Sequence, residues 1–209
     1  MSNKSADRET VLAEISKVEG ELMDASTRLR ELHETLPPLK IPDYEFDSLE
    51  GPIKLSDLFA GSDKLLMVHN MGQGCRYCTL WGDGLNPFVQ HIENTLPLIM
   101  VSGDSPLVQR RFANSRQWRF RMLSHNRQQY YEEQVKDPDY ENCPGIACYQ
   151  RKGSELFRLG HANFGPGDLY CSLWHVLAIA GYSSANWTPQ YRYWSRPEQL
   201  EDGGNNIVD

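Results

Sequence analysis

An apolar run followed by two cysteines three residues apart constrains this chain more than any other stretch. Lys64-Leu65-Leu66-Met67-Val68-His69-Asn70 reads as a buried strand and Met71-Gly72-Gln73-Gly74 as a short loop. Cys75-Arg76-Tyr77-Cys78 then opens a helix expected over Thr79 to Glu93. A thiol at a helix start meets unpaired N–H groups and the positive end of the helix dipole, and both favour the thiolate. Two cysteines on one turn can also close a disulfide with little backbone movement.

The segments beyond alternate in type. Leu96 to Ser102 reads as a buried strand, Ser105-Pro106 starts a helix with proline at its favoured first position, and Phe120-Arg121-Met122-Leu123 is a short strand. Strand, helix, strand, helix, strand implies crossovers and a parallel sheet. Gly145 to Gln150 and Glu155 to Leu159 form an antiparallel hairpin around Arg151-Lys152-Gly153, Gly160 to Gly167 a loop, and Leu169 to Ala180 a last helix. Upstream, Tyr44-Glu45-Phe46 and Pro52 to Leu55 are short strands, and Ser56 caps a single helical turn. Gly82-Asp83-Gly84 and Pro87 are expected to interrupt the helix after the cysteines.

The N-terminal stretch has another character. Val11, Ile15, Val18, Leu22, Ala25, Leu29, Leu32 and Leu36 alternate steps of four and three among charged residues, and Pro37-Pro38 ends the pattern. This is an amphipathic helix of coiled-coil type. It either lies on its own globular body or, through residues 6–36, forms a homodimer. The organisation expected is a helical arm over 1–37, one domain over 38–195 and a flexible tail over 196–209, with Trp187, Tyr191, Tyr193 and Trp194 packing on the body.

Five cysteines, an odd number, with no secretion signal in a polar start, do not make a structural disulfide framework. A C-x-x-C in a reducing compartment points instead to redox or metal chemistry, and a cytoplasmic location is expected. A net charge of −7 argues against nucleic acid as a partner, and no apolar run is long enough to span a membrane.

The order of these elements resembles the thioredoxin fold. Cys143-Pro144-Gly145-Ile146-Ala147-Cys148-Tyr149 through Gly153 is similar to the thioredoxin segment in which a cis-proline faces the dithiol before the hairpin. The resemblance implies an α/β fold, a central mixed sheet flanked by helices, here with a long N-terminal helix. It also implies a cis bond before Pro144. Val101-Ser102-Gly103-Asp104-Ser105-Pro106 with Arg111-Phe112-Ala113 looks like the crossover of peroxiredoxins. The arm, Leu36-Pro37, Leu55 to Phe59, Val68 to Met71 and the C-x-x-C together resemble an uncharacterised family of bacterial thioredoxin-like proteins. The peroxidatic motif needs proline and threonine where this chain has Val68 and Gly72.

Cys75, at the helix mouth, is the expected attacking thiol and Cys78 the resolving one. Lowering a thiol pKa from about 8.5 to about 7 raises its thiolate share at neutral pH from roughly 3% to roughly 50%. His69 stands six residues before Cys75, where thioredoxins keep a buried acid that takes a proton from the resolving cysteine. It either relays that proton or is a hydrogen-bonded core residue, because it shares a strand face with Leu65 and Met67. Arg76, Tyr77, Cys143 and Pro144 are the candidate partner-binding residues, with protein or small-molecule thiols and disulfides as substrates. Cys148 and Cys171 fall in apolar runs and read as core. No metal or other cofactor is called for, since the cysteines lack a second C-x-x-C. The reading is a thiol–disulfide oxidoreductase. Its alternatives are a thiol peroxidase using Cys75 and a non-catalytic binding or assembly module. Arg110, Arg111, Arg116, Arg119 and Arg121 form a basic cluster, read as a solvated helix face or an anion site.

Overall fold

A computed structural model describes residues 7–125, 128–136, 138 and 141–190. The expectations for Tyr191, Tyr193, Trp194 and the tail lie outside these residues. The chain divides into two units, with the boundary between Pro38 and Leu39.

The first unit contains α1, Arg8–Thr35, one uninterrupted helix of 28 residues with none of them buried. Leu36 leaves it in an extended conformation, as a residue before proline must.

The second unit is built on one mixed sheet. Its strands are β1 (Leu39–Ile41), β2 (Glu45–Ser48), β3 (Gly51–Lys54), β4 (Lys64–His69), β5 (Leu98–Ser102), β6 (Arg121–Ser124), β7 (Gly145–Lys152) and β8 (Glu155–Asn163). Their order across the sheet is β1-β8-β7-β4-β5-β6-β2-β3. β4, β5 and β6 run parallel, and β7 returns antiparallel on β4. The apolar runs of β4 and β5 follow from this central place, since strands covered on both faces need no polar alternation. Leu65, Met67, Ile99 and Val101 face one core with Phe46, Phe59, Tyr130 and Tyr149. Val68, Leu98 and Met100 face the other, with Trp81, Trp118, Phe120 and Trp174.

The helix after the cysteines is α2, Arg76–Leu85. It runs straight through Gly82-Asp83-Gly84 and breaks only at the tight turn Asn86–Phe88, where Pro87 sits, before α3, Val89–Glu93. The glycines are therefore not a break. A Cβ on Gly82 would lie 2.4 Å from the Trp118 ring, so this position lets the indole lie against the helix. Asp83 accepts from Trp118 Nε1 at 2.8 Å and pairs with Arg116. Arg116 thus belongs to a packing contact, not to a solvated basic face. α4, Pro106–Ser115, starts at Pro106 as expected.

Other boundaries moved for identifiable reasons. β8 extends through residues read as a loop, because His161 and Asn163 pair with Ala147 and Gly145. The turn Leu55–Phe59 is capped from a distance: Asp43 accepts from the Ser56 N–H at 2.9 Å and from its hydroxyl at 2.8 Å. After β6 the chain makes a short helical segment, α5 (Gln128–Tyr130), widened into a π-turn over Tyr131–Val135. α6, Ser172–Ile179, is the last helix described, and Trp187 packs edge-on against its Trp174. Cys171 is buried before α6, whereas Cys148 is only half-buried.

The Cys143–Pro144 bond is trans, and the described residues contain no cis peptide bond. This corrects the expectation drawn from the thioredoxin resemblance. Trans is the favoured isomer by about 0.5–1 kcal/mol, and the Pro144 carbonyl is held by the Phe164 N–H at 2.7 Å.

Candidate functional site

The loop between β4 and α2 is held on both sides. Asn70, the last residue before it, accepts from the Gly72 N–H at 2.7 Å and donates to Met100 Sδ at 3.4 Å. Asp104, in the crossover after β5, accepts from the Gln73 N–H at 2.7 Å. Gly72 has φ +108°, and a Cβ there would meet the Asp104 carboxylate at 2.9 Å. Glycine is thus required at this residue both by its backbone conformation and by the close carboxylate. The Cys75 N–H closes the loop onto the Gly72 carbonyl at 3.1 Å. Asn70 and Asp104 act on the site without touching sulfur, and no local pattern in the sequence marks them.

Cys75 is the N-cap of α2. Its backbone is extended, and its Sγ accepts from the Cys78 N–H at 3.2 Å. Sulfur here takes the place of the oxygen that usually caps a helix. Cys75 is half-buried, while Cys78 is 3% exposed and accepts from the Met71 N–H at 3.4 Å. Both thiols are free. The Cys75 thiol is pulled down to about 7, chiefly by a hydrogen bond from the Cys78 side chain. Burial opposes this, and the N–H groups of Cys78 and Tyr77 and the charge of Arg76 add to it. The Cys78 thiol is pushed up, first by burial and then by its position beside Cys75. The two sulfurs are therefore split into a nucleophile and a protonated neighbour.

Arg76 is half-buried beside this pair, with its Nη1 buried and unpaired. Tyr77 is half-buried, and its ring stacks on Trp174 with centroids 6.2 Å apart, at the edge of the second core.

His69 and Cys143 border a common cavity. The His69 face of β4 is that of Leu65 and Met67, whereas α2 packs on the Val68 face. His69 is 7% exposed, and its Nε2 lies 2.6 Å from the Tyr130 hydroxyl. It makes no hydrogen bond to either sulfur of the pair. Burial, then the positive charges of His125, Arg158 and His161, hold its pKa down to about 3, so the ring is neutral. Of its two sequence readings, the structure places the side chain in the hydrogen-bonded core. Cys143 and Gly145 border the same cavity as His69, with the Cys143 N–H on the Val135 carbonyl at 3.3 Å. The structure thus brings Cys75, Cys78, Arg76 and Tyr77 together at the start of α2. It places His69 and Cys143 in a second group around that cavity. Among the described residues no cluster of three or more metal-ligating side chains occurs, and no helix is long and apolar enough to cross a membrane.

The family described as a bacterial protein of unknown function (DUF899) matches residues 4–199. No curated protein matches the chain. Among solved structures, Enterococcus faecalis AhpC is similar at 16% identity and a TM-score of 0.53, over 70% of this chain and 92% of that one. A yeast mitochondrial 1-Cys peroxiredoxin is similar at 11% identity and a TM-score of 0.51, over 68% and 73%. The likeness is one of fold: the domain is thioredoxin-like, with the peroxiredoxin variant of that fold nearby.

Proposed function

The chain belongs to this DUF899 family, and from that premise we propose that it is a thiol–disulfide oxidoreductase in which Cys75 attacks and Cys78 resolves. One observation carries the reading: the cap of α2 is a sulfur, held by the N–H of the second cysteine at 3.2 Å. The Cys75 thiolate attacks one sulfur of a partner disulfide. A mixed disulfide forms and the partner's other sulfur leaves as a thiolate, which takes up the Cys78 proton. Cys78 then attacks Cys75, the Cys75–Cys78 disulfide forms, and the partner departs with both its sulfurs reduced. The two electrons come from the protein's dithiol, and a thiol reductant restores it.

Arg76 supports the thiolate through its charge. Peroxide reduction at Cys75 is the rival chemistry. The fold accommodates it, but Val68 and Gly72 stand where a peroxidatic site needs proline and threonine.

The arm supplies a partner surface for a second copy. Antiparallel pairing sets Ile15 against Leu32, Val18 against Leu29 and Leu22 against Ala25, with Val11 opposite the end of the partner helix. It also brings Glu21 beside Arg28 of the partner subunit twice. A parallel pair would set Glu14 against Glu19 instead.

Redox titration in glutathione buffers with mass mapping tests the chemistry. The expected result is one reversible disulfide, Cys75–Cys78, and stable mixed disulfides on Cys75 in a Cys78→Ser protein. Consumption of hydrogen peroxide in the absence of any disulfide substrate would favour the rival. Cys75 alkylating no faster than Cys171 would leave only a binding module.

A further inference from the structure

The second group of residues lines a partly open, largely polar pocket of about 170 Å³ in the larger unit, between the ends of β4, β7 and β8 and the π-turn. Its lining includes His69, Glu133, Cys143, Arg158, His161 and Asn163. Gly145 belongs to its floor, where a Cβ would lie 2.4 Å from the Ala162 carbonyl oxygen. Glycine at this position lets β7 and β8 approach closely where they border the cavity.

The polar groups behind it are already committed to one another. From His69 the chain of contacts runs to Tyr130 at 2.6 Å, then to Tyr149 at 3.4 Å. Tyr149 donates to Gln134 Oε1 at 3.2 Å, and Gln134 Nε2 donates to Tyr44 at 2.9 Å. Tyr44 donates to Glu133 at 2.6 Å, and the other Glu133 oxygen accepts from Gln129 at 3.0 Å. Among the described residues Glu133 is the one carboxylate in the lining, and both its oxygens accept hydrogen bonds.

Arg158 is the exception. It is half-buried, and its hydrogen bond is one contact from Nη1 to Gln134 Oε1 at 3.3 Å. It forms no ion pair among the described residues. A guanidinium presents five donors in a planar fork that fits a carboxylate through two parallel bonds. Holding it part-buried against a neutral amide oxygen leaves most of that capacity unused. Among the described residues no carboxylate lies within ion-pair distance of it. His69 is neutral, His161 is exposed at the mouth, and the Lys136 ammonium is paired with Glu132 at 3.0 Å.

We infer that this cavity is a binding site for a small organic carboxylate, its carboxylate held by Arg158 and its body filling the space between His69 and Cys143. The size sets the class. A dry cavity of about 150 Å³ takes a ligand the size of benzene, so the occupant has on the order of six non-hydrogen atoms. The site lies on the sheet face opposite α2 and does not depend on the thiol chemistry there.

Butanoate is the probe, with 1-butanol as its uncharged counterpart, both titrated against the full-length protein by calorimetry and by protein NMR. Butanoate is expected to bind saturably with a millimolar dissociation constant, and 1-butanol at least tenfold more weakly. Arg158→Met should weaken butanoate at least tenfold, with Arg158→Lys between the two because a point charge cannot make both bonds. Iodoacetamide with mass mapping locates the site: bound butanoate should slow alkylation of Cys143 and leave Cys75 unchanged. Equal binding of butanoate and 1-butanol, no saturation up to 50 mM, or unprotected Cys143 in a saturated sample would each overturn the inference. If Arg158→Met does not fold, the comparison of the two probes and the protection of Cys143 decide it alone.

Discussion

The sulfur of Cys75 accepts the backbone N–H of Cys78 at 3.2 Å, so the residue that caps the helix is the one that would attack. Cap and nucleophile are one atom here. Ordinary caps are oxygens that stay put. A capping sulfur that enters a disulfide with Cys78 loses the thiolate charge that strengthens this hydrogen bond, so the first turn of α2 is tied to the oxidation state of the pair.

The reactivity of Cys75 should follow its lowered pKa. The alkylation rate of Cys75 is expected to rise with pH and reach half its maximum near pH 7. Cys78, whose thiol is pushed up, should react at least about tenfold more slowly at pH 7.5, because only thiolate reacts. Stopped alkylation with mass mapping across pH 5 to 9 reads both. A Cys75 midpoint above 8.5 would mean that the cap does not stabilise the thiolate. The sign for stability agrees. The folded reduced protein binds fewer protons at Cys75 than the unfolded chain between about pH 7 and 9, so its stability rises with pH in that window and is lost as pH falls through 7.

His69 gives a second dependence on pH, in a different window. Its folded pKa of about 3 lies below the ordinary 6.5, mainly through burial. Between those values the unfolded chain holds the proton and the folded one does not. Stability should therefore rise with pH from about 3 to about 6.5 and gain nothing from this group above that. At its steepest, one proton changes the unfolding constant about tenfold per pH unit. Urea unfolding of the wild type and of His69→Asn at pH 5, 6 and 7 measures the difference. The two proteins should diverge most at neutral pH and converge on acidification. A His69 ring that titrates near 6.5 by NMR would contradict the buried hydrogen-bonded geometry.

The elements of this domain were largely written in local pattern. The runs of β4 and β5 announce a central buried sheet, Pro106 fixes a helix start, and strand parity puts His69 with Leu65 and Met67. What escaped depends on partners far away in sequence. Gly82 reads as a helix break in the sequence, and its role depends on Trp118, thirty-six residues on, whose ring lies against it. Asp43 caps the turn that Ser56 was expected to cap. Asp104 and Asn70 fix the loop before Cys75 by single hydrogen bonds that leave no periodic trace. At the candidate site the dithiol itself was legible, because a helix start is a local event. That Cys143 borders a cavity with His69 was not, because it depends on how β7 enters the sheet. The second cavity needed Gly145, Arg158 and the π-turn assembled before it could be seen.

Gly82→Ala isolates the contact that seats α2. The new Cβ would lie 2.4 Å from the Trp118 ring, which is held by its bond to Asp83 and cannot simply swing away. Overpacking of this kind costs about 1–3 kcal/mol, and alanine returns up to about 1 kcal/mol in helix propensity. The net loss should be about 1–2 kcal/mol, a fall in Tm of about 2–8 °C for a chain of this size. Gly84→Ala is the control, since nothing lies within 4 Å of its Cβ, and it should hold or raise Tm. Equal effects at the two positions would show that Trp118 does not constrain the helix.

The arm yields the last prediction, on assembly. Isolated helices are marginal in water, and most helices in proteins are stabilised by packing of an apolar face. α1 is a single 28-residue helix, and its apolar stripe matches itself in the antiparallel direction. Light scattering should therefore find a dimer at micromolar concentration. Leu22→Asp, which sets a carboxylate at the centre of the stripe, should give a monomer. The direction of pairing is read by charge. Glu21→Arg alone brings like charges together at both Arg28 contacts and should weaken the dimer several-fold. Adding Arg28→Glu reverses each pair and should restore it. A parallel dimer would not respond in this way, because Glu21 and Arg28 do not meet there. Removing its Glu14–Glu19 repulsion with Glu14→Lys would strengthen a parallel dimer markedly, and that result would exclude the antiparallel one.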